Sequence, residues 1–179
     1  MTRMANAYAR ALYDLAAEEK TERQILGELN ALDGSFSREP DYLRLLAAPN
    51  LSKEERRGIV DAGFRGKVHP YMLNFLKILT EKGAVRYFSD CCRAYREFYN
   101  ADHGILVVTA VTAAALTEDQ SARLREKLAR LTGRVIRLEN RVDPSCLGGV
   151  RLDYDGKRVD DTVSHRLETV GRLLKNTVL

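Results

Sequence analysis

The sequence predicts an α+β fold in which a helical bundle precedes a small α/β domain. Apolar residues recur at helical spacing through roughly the first 103 residues. At Gly104 the pattern changes to a β-branched run, and Asp155-Gly156 later gives a strong two-residue hairpin signal. We therefore expect a six-helix bundle over residues 1–103. Over residues 104–179 we expect an α/β domain with a short mixed sheet and two helices.

The first two helices are predicted from apolar spacing. Helix one, Ala5 to Glu19, carries many alanines, and such small side chains permit close approach by another helix. Helix two is expected to begin at Thr21, because Thr-Glu-Arg-Gln has the pattern of a capping box. The apolar residues of helix two follow one another at spacings of four, three and four, namely Ile25, Leu29, Leu32 and Phe36.

Two short helices are expected next. Pro40 opens the first of them, which covers Tyr42 to Ala47 and ends at Pro49. Ser52-Lys53-Glu54-Glu55 is a second capping box and begins the fourth helix. Gly63 and Gly66 are expected to end it.

The fifth helix is the most apolar of the six. It is expected to open at His69-Pro70, since proline is tolerated in a first helical turn, and to run to Gly83. It is apolar over more of its circumference than a one-sided surface helix needs. The sixth helix is expected from Val85 to about Tyr99, with Cys91 and Cys92 facing inward.

The C-terminal part alternates strands and helices. The β-branched run predicts a buried first strand, and a third capping box at Thr117 begins a leucine-rich helix that ends at Gly133. The strands are expected at Ile105–Val111, Val135–Val142, Val150–Tyr154 and Lys157–Val159. The leucine-rich helix carries Leu124, Leu128 and Leu131 on one face. The apolar residues of an expected last helix are Val163, Leu167, Val170 and Leu174.

Composition excludes several classes of protein. The chain is 45% hydrophobic and carries a net charge of +4, spread too thinly for a nucleic-acid interface. It has no apolar run of about 18 residues, and residues 1–6 lack an apolar signal core, so we expect neither a transmembrane helix nor secretion. Three cysteines without framework spacing are expected to be free thiols, namely Cys91, Cys92 and Cys146.

No arrangement of residues predicts catalysis. The segment from Gly149 to Lys157 has the wrong spacing for a phosphate-binding loop, and it leads into a strand instead of a helix. Adjacent cysteines diverge on a helix, so Cys91-Cys92 does not predict a metal site. Asp160-Asp161 is interpreted as carboxylates at a helix N-terminus. We therefore expect no catalytic residue, cofactor or metal.

The surplus apolar surface of the first and fifth helices has two interpretations. Both helices can simply belong to the core. Alternatively, they form a groove for an amphipathic helix of a partner, which is a common mode of recognition.

The chain resembles the delta subunit of F-type ATP synthases, whose mitochondrial counterpart is the oligomycin-sensitivity-conferring protein. The resemblance covers the whole chain and is most specific at the C-terminal motif. The matching residues are Tyr8-Ala9-Arg10-Ala11-Leu12, Lys82-Gly83, Thr109-Ala110, Leu116-Thr117, Thr132-Gly133, Asp143-Pro144-Ser145, Leu147-Gly148-Gly149-Val150, Val159-Asp160, Val163 and Arg166-Leu167. The chain departs from the family pattern at Asp161-Thr162, where Gly-Ser is usual, and at Cys146, where an aliphatic residue is usual.

The resemblance implies a non-catalytic peripheral-stalk (stator) subunit of a proton- or sodium-translocating F-type ATP synthase. The helical domain would dock on the N-terminal helices of the alpha subunits, and the C-terminal domain on the C-terminal end of the b-type stalk. One copy per complex would lie peripherally, at the cytoplasmic face of the cell membrane.

The resemblance also implies roles for individual residues. The groove between the first and fifth helices would bind the partner, while other residues would determine the fold. The expected partner-binding residues are Tyr8, Ala11, Leu12, Phe75, Ile78 and Leu79, and the expected fold determinants are Gly148, Gly149, Asp160 and Arg166. The alternative functions are an unrelated two-domain adaptor or regulatory protein and, third, an enzyme, for which the sequence offers no constellation of polar residues.

Overall fold

A computed structural model describes residues 2–48, 51–163 and 165 of the chain. The chain divides into two compact units, Met1–Asp102 and His103–Leu179. In the first unit the helices are α1 (Arg3–Glu18), α2 (Glu22–Arg38), α3 (Pro40–Ala47), α4 (Lys53–Phe64), α5 (Pro70–Glu81) and α6 (Phe88–Asp102), with a short 3₁₀ turn at Val85–Tyr87. In the second unit the elements are β1 (Ile105–Thr112), α7 (Glu118–Thr132), β2 (Val135–Val142), a 3₁₀ turn at Pro144–Cys146, β3 (Val150–Tyr154) and β4 (Lys157–Asp160).

Two of the three predicted capping boxes are confirmed, and the third is wrong. Ser52 and Thr117 accept hydrogen bonds from the third backbone N–H of α4 and α7, and the reciprocal side-chain bonds are present. Thr21 makes no such bond. Its N–H and its hydroxyl both donate to the carbonyl of Ala16, at 2.8 and 3.3 Å, so Thr21 closes α1 instead of capping α2.

The core of the first unit combines aliphatic side chains with a cluster of aromatic rings. Phe36 lies edge-on to Phe88, with ring centroids 5.0 Å apart, and stacks on Tyr42 at 5.7 Å. Tyr13 of α1 donates to the Asp102 carboxylate at the end of α6, at 2.8 Å. The fully buried large side chains of this unit are Ile25, Leu29, Leu46, Val60, Met72, Leu76, Leu79, Val85, Phe88 and Tyr95.

The second unit is built on a four-stranded mixed sheet in the order β2-β1-β3-β4. Strand β1 pairs in parallel with β2 and antiparallel with β3, and β3 pairs antiparallel with β4. The β3–β4 turn has φ of 46° at Asp155 and 71° at Gly156. Positive φ at both central residues is the hairpin geometry that this dipeptide predicts. The expected mixed sheet is therefore confirmed.

One buried cluster of the second unit consists of Leu106, Val108 and Ile136, and partly buried residues of α7, β2 and β3 pack against it. Ala110, Val111 and Cys146 of this unit are also buried. Helix α7 contains no fully buried residue. Of the three leucines predicted to share one face of α7, Leu128 packs on the sheet, whereas Leu131 is 74% exposed. Val163 and His165 are helical, whereas Arg166, Leu167, Val170 and Leu174 of the expected last helix lie outside the described residues.

Candidate functional site

An apolar depression lies between α1 and α5 of the first unit. Its volume is about 100 Å³. On each helix the lining residues recur every three or four positions and therefore share one face. They are Tyr8, Ala11, Leu12 and Leu15 of α1, and Tyr71, Asn74, Phe75 and Ile78 of α5. We refer to this surface as the α1–α5 groove.

The alanines of α1 explain why the groove is open. Ala5, Ala9 and Ala16 are buried on the inward side of α1, which packs closely on α6. Ala11 lies on the other side and is exposed. Because Ala11 has no side chain beyond Cβ, the space between the larger residues of the two helices stays unfilled.

The structure brings together five of the six predicted partner-binding residues. Ile78 is 43% exposed and Tyr8 is half-buried, while Leu12 and Phe75 are only 4% and 5% exposed and form the floor of the groove. Leu79 is different, because it is completely buried in the core and does not line the groove. It points away because it follows Ile78 by one residue, which is a rotation of about 100° on a helix.

Sequence reasoning missed three lining residues, Leu15, Tyr71 and Asn74. Leu15 is 46% exposed. It lies seven residues after Tyr8, and Tyr71 lies seven residues before Ile78. Positions seven apart share one helix face, so continuing the two apolar stripes by one heptad would have found Leu15 and Tyr71.

One end of the groove is held by a tyrosine. The Tyr71 hydroxyl donates to the Glu19 carboxylate, which follows α1. This bond, together with the nearby negative charges of Glu19 and Glu18, raises the pKa of Tyr71. The backbone N–H of Tyr71 donates to the His69 ring, which caps α5. Tyr71 is therefore held by hydrogen bonds at both its backbone and its hydroxyl, and it lines one end of the groove.

In the second unit, the two adjacent glycines allow two backbone segments to approach each other closely. Gly149 has φ of +79°, and a Cβ at this position would lie 2.4 Å from the carbonyl oxygen of Asp161. The N–H of Asp161 donates to Val150, and that of Val163 donates to Gly148, at 3.1 and 3.0 Å. Gly149 is required by both its φ and this contact, whereas a Cβ on Gly148 would meet only the Val163 side chain, at 3.4 Å.

Asp160 organises the start of the helix that follows. Its carboxylate accepts hydrogen bonds from the hydroxyl and the N–H of Thr162, at 2.7 and 3.0 Å. These bonds lower the pKa of Asp160. The Thr162 hydroxyl in turn accepts from the N–H of His165, at 3.2 Å, so Thr162 is the N-cap. Arg166, the other expected fold determinant besides the glycines, lies outside the described residues.

Asp161 replaces a glycine of the family pattern without backbone strain. The non-glycine residues with positive φ among those described are Lys20, Leu147 and Asp155. Because Asp161 is not one of them, its position does not require glycine. The departure is therefore compatible with the same local turn.

The remaining features of the described residues are a second depression and two buried thiols. A wider depression of about 540 Å³ lies beside the β3–β4 hairpin. There Asp153 accepts a hydrogen bond from Arg158 at 2.8 Å, and this bond lowers the pKa of Asp153. Burial raises the pKa of the Cys91 thiol to about 12 and also raises that of Cys92. Such thiols are unreactive.

No cluster of three or more histidine, cysteine or carboxylate side chains among the described residues has the arrangement of a metal site. The helices of the described part are also too short or too polar for any of them to span a membrane.

Comparisons with known proteins agree over nearly the full length. The family model described as ATP synthase delta (OSCP) subunit matches residues 4–174. ATP synthase subunit delta of Alkaliphilus oremlandii is 30% identical over 176 residues, which is 98% of each chain. That of Moorella thermoacetica is 31% identical over 172 residues, or 96% of each chain. A chain in the cryo-EM structure of the Toxoplasma gondii mitochondrial ATP synthase hexamer has a similar fold, with a TM-score of 0.72, 18% identity and coverage of 97% of this chain and 98% of that one.

Proposed function

The chain belongs to the ATP synthase delta (OSCP) subunit family, and we propose that its two units dock on two different parts of the enzyme. Members of this family are structural components of the peripheral stalk of F-type ATP synthases and are not catalytic subunits. This chain is therefore a stalk subunit. What remains to be assigned is which surface holds which neighbour.

The first unit, a six-helix bundle over residues 1–103 in our interpretation, binds the N-terminal helix of an alpha subunit in the α1–α5 groove. The groove supports this proposal because it is open and lined mainly by apolar side chains of two helices. Tyr8 and Leu15 are seven residues apart, which is about 10 Å along a helix. An amphipathic helix of two or three turns would cover that length with apolar residues spaced three and four apart.

The second unit, residues 104–179, binds the C-terminal end of the b-type stalk. Exposed apolar side chains near Gly148 and Gly149 support this proposal. Leu147 is 68% exposed and Val163 is 42% exposed, and Val163 lies against Gly148. Contacts at both units would hold the subunit more tightly than either contact alone, because the second binding event becomes intramolecular. One copy per complex would then lie peripherally on the cytoplasmic face of the membrane.

The groove is tested by Ile78→Asp. Ile78 is exposed, so the variant is expected to fold, whereas aspartate at the more buried Phe75 would disturb the core. We expect Ile78→Asp to weaken binding of an alpha-subunit N-terminal peptide by about 30-fold or more, which corresponds to about 2 kcal/mol of lost apolar burial. Titration calorimetry measures the affinity. Leu45→Asp on α3 is the matched control, since Leu45 is 46% exposed and does not line the groove.

A second single variant, Leu147→Asp, tests whether each unit binds a different neighbour. Leu147 has φ of 60°, a conformation that aspartate tolerates well. We expect this variant to bind the alpha peptide normally and to lose capture of the b-type stalk, and Ile78→Asp to do the reverse. If Ile78→Asp abolished both interactions, or neither, the assignment of one neighbour to each unit would be wrong.

A further inference from the structure

Opposite charges mark the two ends of the α1–α5 groove. Glu18 and Glu19 are exposed at the end of α1, where Tyr71 opens α5. Both carboxylates act electrostatically on the Tyr71 hydroxyl. At the other end, Lys82 is exposed one helical turn beyond Ile78.

The charges of the acidic end are available to a partner. Neither Glu18 nor Glu19 forms an ion pair with a basic side chain within the described residues. Other charged side chains of the same helices are neutralised locally, as in the pairs Arg10–Asp14 and Arg57–Glu81. Lys20, on the turn that follows, is the nearest basic residue in sequence, and the formal charge of Glu18, Glu19 and Lys20 together is −1.

The helix dipoles do not mask this pattern. The hydrogen bond from Tyr71 to Glu19 brings the start of α5 to the end of α1, so the two helices run antiparallel. The positive end of one dipole therefore lies beside the negative end of the other, and their effects largely cancel. Side-chain charges consequently decide the potential at each end of the groove.

We propose that this charge pattern is a specificity determinant of the groove. It selects an amphipathic helix with basic side chains at the end that lies against Glu18 and Glu19, and with no basic side chain at the end that lies against Lys82. The inference rests on the proposed function of the groove and adds the register of its occupant. The basic residues lie one turn outside the apolar stripe that covers Leu15 and Tyr71.

Charge reversal tests the proposal on the full chain. The probe is the alpha-subunit N-terminal peptide, together with a variant peptide in which the basic residues at one end are replaced by glutamate. We expect the double variant Glu18→Lys/Glu19→Lys to bind the native peptide about tenfold more weakly at low salt, mainly through a slower association rate. The charge-swapped peptide should regain most of that loss. At about 0.5 M salt the difference should nearly disappear.

The control is Asp41→Lys/Glu97→Lys, which changes the net charge by the same amount at exposed positions outside the groove. Equal weakening by the control would overturn the proposal, because the effect would then come from net charge. Unchanged affinity of the Glu18→Lys/Glu19→Lys variant, with Ile78→Asp still weakening binding as expected, would overturn the proposal and leave the proposed function intact. Binding that is insensitive to Ile78→Asp would overturn both.

Discussion

The two units of this subunit keep their folds by different means. In the first, helices pack around a deep core of leucine, isoleucine and aromatic side chains, and Tyr95 and Phe88 are almost completely buried. In the described part of the second, Leu106, Val108 and Ile136 form a cluster on the sheet beneath α7, a helix with no fully buried residue. Strand pairing and the close backbone contact at Gly149 also hold this unit together.

The difference shows where each unit tolerates change. In the first unit, loss of buried side-chain volume is expected to have the largest effect. In the second unit, a Cβ added where two backbone segments approach closely is expected to have a large effect as well. The chain has no tryptophan, so Phe98→Trp and Tyr154→Trp backgrounds give separate fluorescence reporters for the two units.

The largest effect is expected from truncating a deep core side chain. Leu76→Ala should destabilise the first unit by about 4 kcal/mol, because Leu76 is fully buried and its neighbours cannot collapse into the cavity. Leu106→Ala should cost the second unit only about 2 kcal/mol, because the residues packed around its cluster are partly buried and can relax into the space. Urea unfolding followed with each reporter measures both values. Equal costs would show that the two cores are equally rigid.

The next largest loss of stability is expected at Gly149. Gly149→Ala should destabilise the second unit by about 3 kcal/mol, since it combines positive φ with a Cβ placed 2.4 Å from a carbonyl oxygen. Gly156→Ala is the matched control, because φ is also positive there but nothing lies within 4 Å. It should cost only about 1 kcal/mol. The Tyr154→Trp reporter measures both, and similar costs would mean that backbone approach at Gly149 is unimportant.

A smaller effect is expected at the hydrogen bond between α1 and the end of α6. Tyr13→Phe removes the bond to Asp102 and should cost the first unit about 1 kcal/mol. Tyr8→Phe, in the half-buried rim of the groove, is the control and should change stability little. A loss with Tyr13→Phe seen only by the Tyr154→Trp reporter would contradict the assignment of this bond to the first unit.

The smallest effect is a difference in acid sensitivity. Among the described residues of the second unit, hydrogen bonds lower the pKa values of three aspartates: Asp143 through Ser145, Asp153 through Arg158 and Asp160 through Thr162. A carboxyl group whose pKa is lower in the folded state stabilises that state above its unfolded pKa of about 3.9, and the contribution is lost as the pH falls towards the folded value. In the first unit this holds for Glu55 and Asp61.

We therefore expect the second unit to lose stability before the first between about pH 4 and pH 2. Unfolding curves at a series of pH values, recorded with both reporters, measure this difference. Asp160→Asn should lower the stability of the second unit at neutral pH and make it less dependent on pH. An unchanged pH profile in this variant would exclude Asp160 as a contributor.

Much of the architecture could be predicted from local signals. Helix starts at Ser52, His69 and Thr117 and the turn at Asp155-Gly156 follow from side chains acting on their own backbone. The error at Thr21 has a different origin. The same hydroxyl can begin one helix or close the preceding one, and the short connection after α1 decides between these roles.

The groove was only partly predictable for a related reason. Spacing identified the apolar faces of α1 and α5, but it could not separate Ile78, which is exposed, from Leu79, which is buried one residue later. That distinction depends on which helices lie on either side of α5. Likewise, the meeting of Tyr71 with Glu19 joins residues far apart in the chain, and no local pattern predicts it.

The place of β1 in the sheet bears on how this subunit withstands mechanical load. The chain leaves α6, passes Gly104 and enters the second unit directly through β1, a central strand paired on both sides. Tension applied along β1 would shear two ladders of hydrogen bonds at once. An edge strand such as β4, pulled sideways, would peel away one bond at a time. A connection that enters the second unit at a central strand therefore suits a peripheral-stalk subunit under mechanical load.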